Sequence, residues 1–510
     1  MTLLVGLDIG TTSIKAALYD AELGRVVSIA SRPTPVEHPA PGWSEHDPET
    51  LWRTIAACLH EVAAGKPIAG LGVSSFAEAG LPLDAAGRPL YPIIAWYDRR
   101  PEPQAAWWEA QLSAEALHAI TGQRTSPSFG VNKWLWIRDN APDVAARMAR
   151  WLSVPDYVLW RLTGEQATDY TIASRTLLFD QRTLDWSDEM LGLAQLDVRQ
   201  LPQALPGGTI VGTITPQAAA ATGLPAGVPC ALGGHDHLCA ALAAGAHRPG
   251  AVIDSSGTAQ ALLFVVPDFL TNAFAARCGY ACYAHVIAGR YVLKGGLKAA
   301  GGAVEWLARQ LAGLDVAPTE SFYTELQAAA EIGVAQRAGP LWLPHLIGSG
   351  TPEGDRFSRG ALVGVRIEHD RGDLFRGMLE SLAFWLRHNL AEMETLTGQS
   401  ARHVTLLGGA TRLWLLSQIK ADALNLPVAI PDLPEAAATG AALLAGLGSG
   451  VFGTPAAAVD SVRCGYETLS PDPARAEWYA QLYERTYEPL YESLRDVHHT
   501  MEEMQKCGSV

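Results

Sequence analysis

The chain has 510 residues with 38 basic and 53 acidic side chains, a formal charge of −15, and 48% hydrophobic against 18% charged residues. That length exceeds the roughly 250 to 300 residues over which one core grows, so two or more domains are expected, and the composition argues against intrinsic disorder. The acidic balance, with no run of Lys or Arg, argues against a nucleic-acid partner, and the seven scattered Cys read as reduced thiols.

In chain order, the first residues lack a charged leader and no window reaches the ~18 apolar residues of a membrane span. No membrane partner is expected, and the cytoplasm is the expected compartment. Residues 3–19, LLVGLDIGTTSIKAALY, read as two apolar strands about a Gly/Thr/Ser turn. Strands are expected again over 68–74 and 93–96, with a helix over 49–64, so the first domain alternates α and β. A Gly- and Pro-dense segment, 205–234, reads as the approach to a domain boundary. Beyond it AVIDSSGTAQALLF, residues 251–264, repeats the opening in outline: strand, Asp, Gly-Thr turn, strand. Asp8 with Gly10 and Thr11 is answered by Asp254 with Gly257 and Thr258, which points to two related halves. Near the end, Tyr479, Tyr483, Tyr487 and Tyr491 share one helical face, the packing stripe of a docking helix that Pro489 kinks or breaks.

Three clusters carry chemistry-bearing groups. Asp8 ends a strand, and Gly10-Thr11-Thr12-Ser13 adds backbone N–H groups and three hydroxyls, a set that suits a polyphosphate with its Mg²⁺ or, equally, a plain hairpin turn. Gly233-Gly234-His235-Asp236-His237 sets a carboxylate in a glycine-rich bend, as a general base, a metal site or a structural loop. A metal-dependent hydrolase is its rival reading. LLGGATR at 406–412 follows a strand and precedes a helix over 414–425, which suits a nucleotide's ribose or phosphate.

Taken in order, these segments resemble the FGGY carbohydrate kinases, of the actin and sugar-kinase superfamily, over nearly the whole chain. DIGTTSIK at 8–15 is similar to that family's first phosphate loop, and WYDRR at 96–100 to its sugar-site segment. TDYTIASRTLLFDQRTLDWSDEML at 168–191 is similar to its long N-domain stretch, and GGHDH at 233–237 to its catalytic-Asp loop. SSGT at 255–258 resembles its second phosphate loop, and LLGGATRL at 406–413 its adenosine loop. Lys133 and Trp136 fit its K-x-x-W pattern, with Gly130 where Pro, Ser or Thr is usual. Residues 360–380 fit its second signature with Gly377 in place of Ala or Ser, and SSFAE at 74–78 replaces an S-G-Q-M-H type of segment.

The resemblance implies an α/β fold of two actin-like (ribonuclease H-like) ATPase domains with a central cleft. The N-terminal domain, 1–246, would bear the sugar side and the first phosphate loop. The C-terminal domain, 247–510, would bear the nucleotide side and the docking helix. The implied reaction moves the ATP γ-phosphoryl group to a primary hydroxyl of a ketopentose, D-xylulose first, with ribulose, fuculose, glycerol, erythritol and gluconate as alternatives. A non-catalytic sugar or nucleotide sensor on the same fold is the other reading. Asp236 is the implied base, and Asp8 and Asp236 meet Mg²⁺. ATP is met by Asp8, Gly10, Thr11, Thr12, Ser13, Lys15, Gly257, Thr258, Gly301, Gly408, Gly409 and Ala410. The sugar is met by Glu78, Trp96, Asp98, Asp169, Tyr170, His235 and His237. Capping by Asp169, core packing by Trp96 and a close helix contact at Gly301 stay open, and Arg99 and Arg100 are expected as salt-bridged surface residues. The implied partner is a small sugar or polyol, and a homodimer is compatible with the family.

Overall fold

A computed structural model describes residues 1–313, 317–333 and 339–507. In the first half β1 (Leu3–Ile9), β2 (Ser13–Asp20), β3 (Arg25–Pro33), β4 (Ile68–Ser75), β5 (Ile210–Thr213) and β6 (Pro229–His235) form one sheet in the order β5-β6-β4-β1-β2-β3. The short turns joining β1, β2 and β3 make an antiparallel meander, whereas β4 and β6 arrive by long crossovers and pair in parallel. The segment 205–234 supplies β5 and β6, so its glycines and prolines belong to turns inside this sheet.

The second half holds β7 (Val252–Ser256), β8 (Gln260–Val266), β9 (Ala281–Ala284), β10 (Tyr291–Leu297), β11 (Val404–Leu407), β12 (Val428–Pro431) and β13 (Tyr466–Leu469), in the order β9-β10-β8-β7-β11-β12-β13. Here β7, β8 and β10 repeat the meander, and β11 and β12 repeat the parallel pair. The two halves therefore share a topology, as the echo of Asp8 in Asp254 suggests, and this is the actin-like α/β arrangement.

The helices that bear on the site are α1 (Pro48–Ala63), α2 (Gly130–Asn140), α3 (Tyr170–Ser174), α4 (Asp236–Ala243), α5 (Gly301–Ala312), α6 (Arg371–Thr397), α7 (Trp414–Leu424), α8 (Ala436–Gly448), α9 (Pro473–Leu482) and α10 (Leu490–Cys507). The carboxylate of Asp47 accepts the Thr50 N–H at 2.8 Å and starts α1. Leu51, Ile55, Leu59 and Val62 then fall on one face of α1 and join the core of the first sheet. The strand expected over 93–96 shrinks to Ile93–Ile94, because the chain turns as the Asp98 N–H donates to the Ala95 carbonyl at 3.1 Å. No helix among the described residues is long and apolar enough to cross a membrane.

Although α8 follows the second sheet in sequence, it lies across the first. A Cβ added at Gly6 of β1 would fall 1.8 Å from the Ala438 carbonyl oxygen, and one at Gly440 would fall 1.9 Å from that of Cys239 in α4. Backbones touch there because no side chain intervenes. Leu4, Leu238, Ile253, Val292 and Leu443 belong to one apolar cluster that joins the halves. Gly440→Ala is accordingly expected to destabilise the protein by about 1 to 3 kcal/mol through overpacking. A thermal melt reads this directly, and an unchanged midpoint would show that α4 and α8 separate at no cost.

The tyrosine stripe is interrupted. α9 ends at Leu482, a π-helical turn spans Tyr483–Tyr487, and α10 begins after Pro489, which has no N–H to continue the ladder. Tyr479, Tyr483 and Tyr487 still meet Phe384 of α6 at ring-centroid distances of 5.8, 5.9 and 5.3 Å, the packing role expected of them. Tyr491 instead donates to Asp355 Oδ2 at 3.1 Å.

Candidate active site

Matching strands of the two halves each carry an aspartate near their C-terminal ends, Asp8 in β1 and Asp254 in β7. Asp254 is enclosed. Lys420 Nζ of α7 donates to it at 2.6 Å, Gln260 Nε2 at 2.9 Å and Ser256 Oγ at 3.1 Å. Among the described residues the one side-chain hydrogen bond to Asp8 comes from the Ser74 hydroxyl, at 3.2 Å. Burial, reinforced by the charge of Asp236, raises its carboxyl to about 7.

At the end of β6 the chain passes from His235 into α4, so Asp236 stands in a first helical turn, where free N–H groups favour an anion. Its Oδ1 accepts the His237 N–H at 2.6 Å and lies 3.2 Å from His235 Nε2. Burial outweighs that hydrogen bond and, with the charge of Glu78, raises Asp236 to about 7 against the pull of Lys294 and Arg175. Burial also lowers both histidines, His237 to about 4, so their rings are neutral at neutral pH. The two rings meet edge to face at 5.2 Å, and His235 Nδ1 is buried without a partner. Ligand atoms of His235, Asp236 and His237 lie within 4.8 Å of one another, a spacing that suits a metal site as well as a base flanked by imidazoles.

Several expected sugar contacts have other duties. Asp169 caps α3, accepting the N–H groups of Thr171 and Ile172 at 2.7 and 3.3 Å and the Thr171 hydroxyl, while Thr171 Oγ1 accepts the His235 N–H at 2.8 Å. Of the two roles open for Asp169, the geometry shows the cap, with Oδ1 engaged at the helix start on a residue 2% exposed, and through Thr171 it braces the Asp236 loop. Tyr170 is half-buried against Phe179, with centroids 5.7 Å apart.

The sugar role of Asp98 is corrected. Its side chain is 0% exposed, with Oδ1 accepting Arg100 Nε at 2.9 Å and Oδ2 accepting Arg100 Nη2 at 2.8 Å and the Ser44 N–H at 2.6 Å. No oxygen is left to face a ligand. Arg100, expected at the surface, is buried over the Trp43 ring at 3.9 Å and pairs with Glu45 at 2.6 Å, whereas Arg99 is exposed and pairs with Glu102 at 2.7 Å. Lys133 of α2 is buried, and its ammonium donates to the carbonyls of Pro127 at 3.2 Å and of Ser128.

Glu78 does reach the centre, but with a counter-ion. It has φ +67°, and Arg175 donates Nε to its Oε1 at 2.7 Å and adds a second bond from Nη2. Arg175 Nη1 also donates to Gln123 Oε1 at 3.0 Å. Arg175, Gln123, Tyr283 and Lys294 were invisible to motif reasoning, since Arg175 stands 97 residues from Glu78 and nothing local links them.

Trp96 is 37% exposed, and its Nε1 donates to Thr11 Oγ1 at 2.9 Å, so it joins the 96–100 segment to the first loop and is not core. That loop closes as a hairpin turn, the Gly10 N–H donating to the Ser13 carbonyl at 3.0 Å, with Thr12 exposed. Lys15 pairs with Glu435 at 2.9 Å just before α8, so its ammonium is engaged by a carboxylate instead of being free for phosphate. In the second half the Gly301 N–H donates to the Gly257 carbonyl at 3.0 Å, and a Cβ there would fall 2.3 Å from that oxygen. Gly408, at φ +92°, approaches the Ser256 carbonyl as closely, its Cβ position being 2.4 Å away. Gly257, Thr258, Gly301 and Gly408 thus share one backbone-lined corner, and Gly409 and Ala410 open the 3₁₀ turn beside it.

The N-terminal domain of the FGGY family of carbohydrate kinases matches residues 3–243, and the C-terminal domain of the same family matches residues 255–449. A glycerol kinase of Citrifermentans bemidjiense is 32% identical over 90% of this chain and 92% of its own. A glycerol kinase of Gloeobacter violaceus is 33% identical over 88% of this chain and 89% of its own. The crystal structure of a xylulose kinase from Rhodospirillum rubrum superposes with a TM-score of 0.89 at 32% identity, covering 98% of this chain and 100% of that one.

Proposed function

This chain belongs to the FGGY family of carbohydrate kinases, a family of phosphotransferases, and from that premise we propose that it transfers the γ-phosphoryl group of ATP to a primary hydroxyl of a small polyhydroxylated acceptor, with D-xylulose as the first candidate. The observation that carries the reading is Asp236, a half-buried carboxylate at a helix start, flanked by His235 and His237, with its pKa raised to about 7 by desolvation. A base is most effective when its pKa lies near the working pH. Asp236 accepts the proton of the acceptor hydroxyl, whose oxygen forms the new O–P bond as the bond from the γ-phosphorus to the β,γ-bridging oxygen of ATP breaks and ADP leaves. His237 holds Oδ1 of that carboxylate through its N–H.

Two half-buried carboxylates, with the charge of Asp236 raising Asp8, are a donor set that fits a divalent cation, so Asp8 and Asp236 would hold Mg²⁺. When bound, that ion neutralises phosphate charge. The hairpin loop at Gly10 to Ser13 and the corner of Gly257, Thr258, Gly301 and Gly408 are the places proposed for the phosphates and nucleoside. The hydrolase reading of the His-Asp-His loop falls away, because the family transfers phosphoryl groups.

A coupled ADP-release assay with Mg²⁺, ATP and a panel of D-xylulose, D-ribulose, glycerol, erythritol and D-gluconate tests the proposal. ADP release that rises with at least one acceptor, above a slow acceptor-independent ATPase, is expected. Acceptor binding with no acceptor-dependent ADP release would leave the sensor reading in its place.

A further inference from the structure

One face of β9 and β10 turns toward the first half of the chain, and alternation decides which residues stand on it. Cys282 and Leu293 join the core of the second half, whereas Tyr283 and Val292, opposite each other in the antiparallel register, join the apolar layer between the halves. Lys294 lies two residues beyond Val292, so it projects from the same face, diagonal to Tyr283 across the strand pair. Arg175 reaches this same surface from the first half, its Cζ 5.7 Å from the Tyr283 ring centroid. Among the described residues the ion-paired lysines are Lys15 and Lys420, and Lys294 has no carboxylate at that range.

Two more donors at this place lack an acceptor. Tyr283 Oη is buried without a hydrogen-bond partner. Gln123 gives its oxygen to Arg175 and leaves Nε2 buried and unpartnered. The charge of Arg175 itself is matched by Glu78. What remains is a surplus of donors, with one ammonium that has no carboxylate in ion-pair contact among the described residues. A polyol hydroxyl brings a donor of its own along with its acceptor lone pairs. A carboxylate brings acceptors only, together with the missing charge.

We infer that Lys294, Tyr283 and Gln123 form a subsite for a carboxylate, so that the preferred acceptor is a polyhydroxy acid anion phosphorylated at a hydroxyl presented to Asp236. The inference rests on the phosphotransfer reading above and, within it, puts a polyhydroxy acid ahead of D-xylulose as the acceptor. Burial, helped by Arg175, lowers Lys294 only to about 8, so the ammonium is present at neutral pH.

D-Xylonate, D-xylulose and xylitol share a chain length and differ at the first two carbons, where they carry a carboxylate, a ketone or neither. Calorimetry on the full chain without ATP should show D-xylonate binding at least about tenfold tighter than xylitol, with the same order in kcat/KM. Lys294→Met should erase most of that ratio and Lys294→Arg should keep most of it, each variant being checked by its melt. Equal affinities in the wild type, or a Lys294→Met loss equal for all three acceptors, would overturn the subsite, the latter in favour of a general charge role. If D-xylonate neither binds nor reacts while xylitol or D-xylulose is phosphorylated, the subsite falls and the kinase reading stands. Preferred binding of D-xylonate with no phosphorylation of any acceptor would overturn the kinase reading alone.

Discussion

Asp236→Asn is expected to keep the fold and lower kcat by ~10² to 10⁴, the range for loss of a general base. Asparagine preserves the shape and can still accept the His237 N–H, but it cannot take a proton from the acceptor hydroxyl. The sign of the stability change also follows. Burial raises the carboxyl of Asp236 to about 7, so the fold prefers its protonated form, and the stability this gives is lost as pH rises through 7. Asn removes that loss, so the variant should melt no lower than wild type at pH 8. Activity in the wild type should fall as pH drops below about 7, because the protonated base accepts nothing. Asp8 and Asp236 repel each other, so this acid limb belongs to the pair. Removing the charge of Asp236 should lower the Asp8 carboxyl while burial, the larger cause, still holds it above an ordinary value, which carboxyl NMR titration reads. A kcat within a few-fold of wild type would remove Asp236 from the base role.

The second large effect separates the two matching aspartates. Lys420→Met strips the counter-ion from Asp254, whose side chain is 0% exposed beside a lysine at 3%. A buried charge left unpaired costs about 3 to 5 kcal/mol, so the denaturation midpoint should drop sharply. Asp8→Asn should do the opposite to stability, since Asp8 has no bonded counter-ion and its anion is already disfavoured by burial. Its loss should appear in Mg²⁺-dependent turnover, with acceptor affinity retained. If Lys420→Met leaves the midpoint unchanged, or if Asp8→Asn unfolds the chain while Mg²⁺ dependence survives, the division between a structural and a functional aspartate is wrong.

The difference between Asp8 and Asp254 shows how far a linear reading reaches. Both follow an apolar strand and precede a Gly-Thr turn, so their resemblance, the paired halves and the β1-β2 hairpin are legible in strings of a dozen residues. Strand alternation, turn chemistry and capping are local forces, and α1, the turn at Gly10 and the strand-turn-helix at 404–424 follow from them.

Charge partners obey no such locality. Glu78 is held by Arg175, Asp254 by Lys420, and Asp169 and Asp98 were claimed by a helix start and a buried guanidinium before any ligand could meet them. Each carboxylate in the sequence looks equally able to bind a hydroxyl. Which one stays available is decided by desolvation, since a buried charge must find a counter-ion or be neutralised, and the packing of distant strands determines which cations come within reach. The sequence by itself therefore determined the two α/β halves, the order of their loops and the aspartate at the head of α4. Only the tertiary structure decided that Asp8 and Asp236 lack an ion-paired Lys or Arg among the described residues, that Asp98 and Asp169 are engaged by partners inside the protein, and that Lys294 shares the face of Tyr283 and Val292, because those outcomes depend on which side chains share a low-dielectric space and not on which share a stretch of chain.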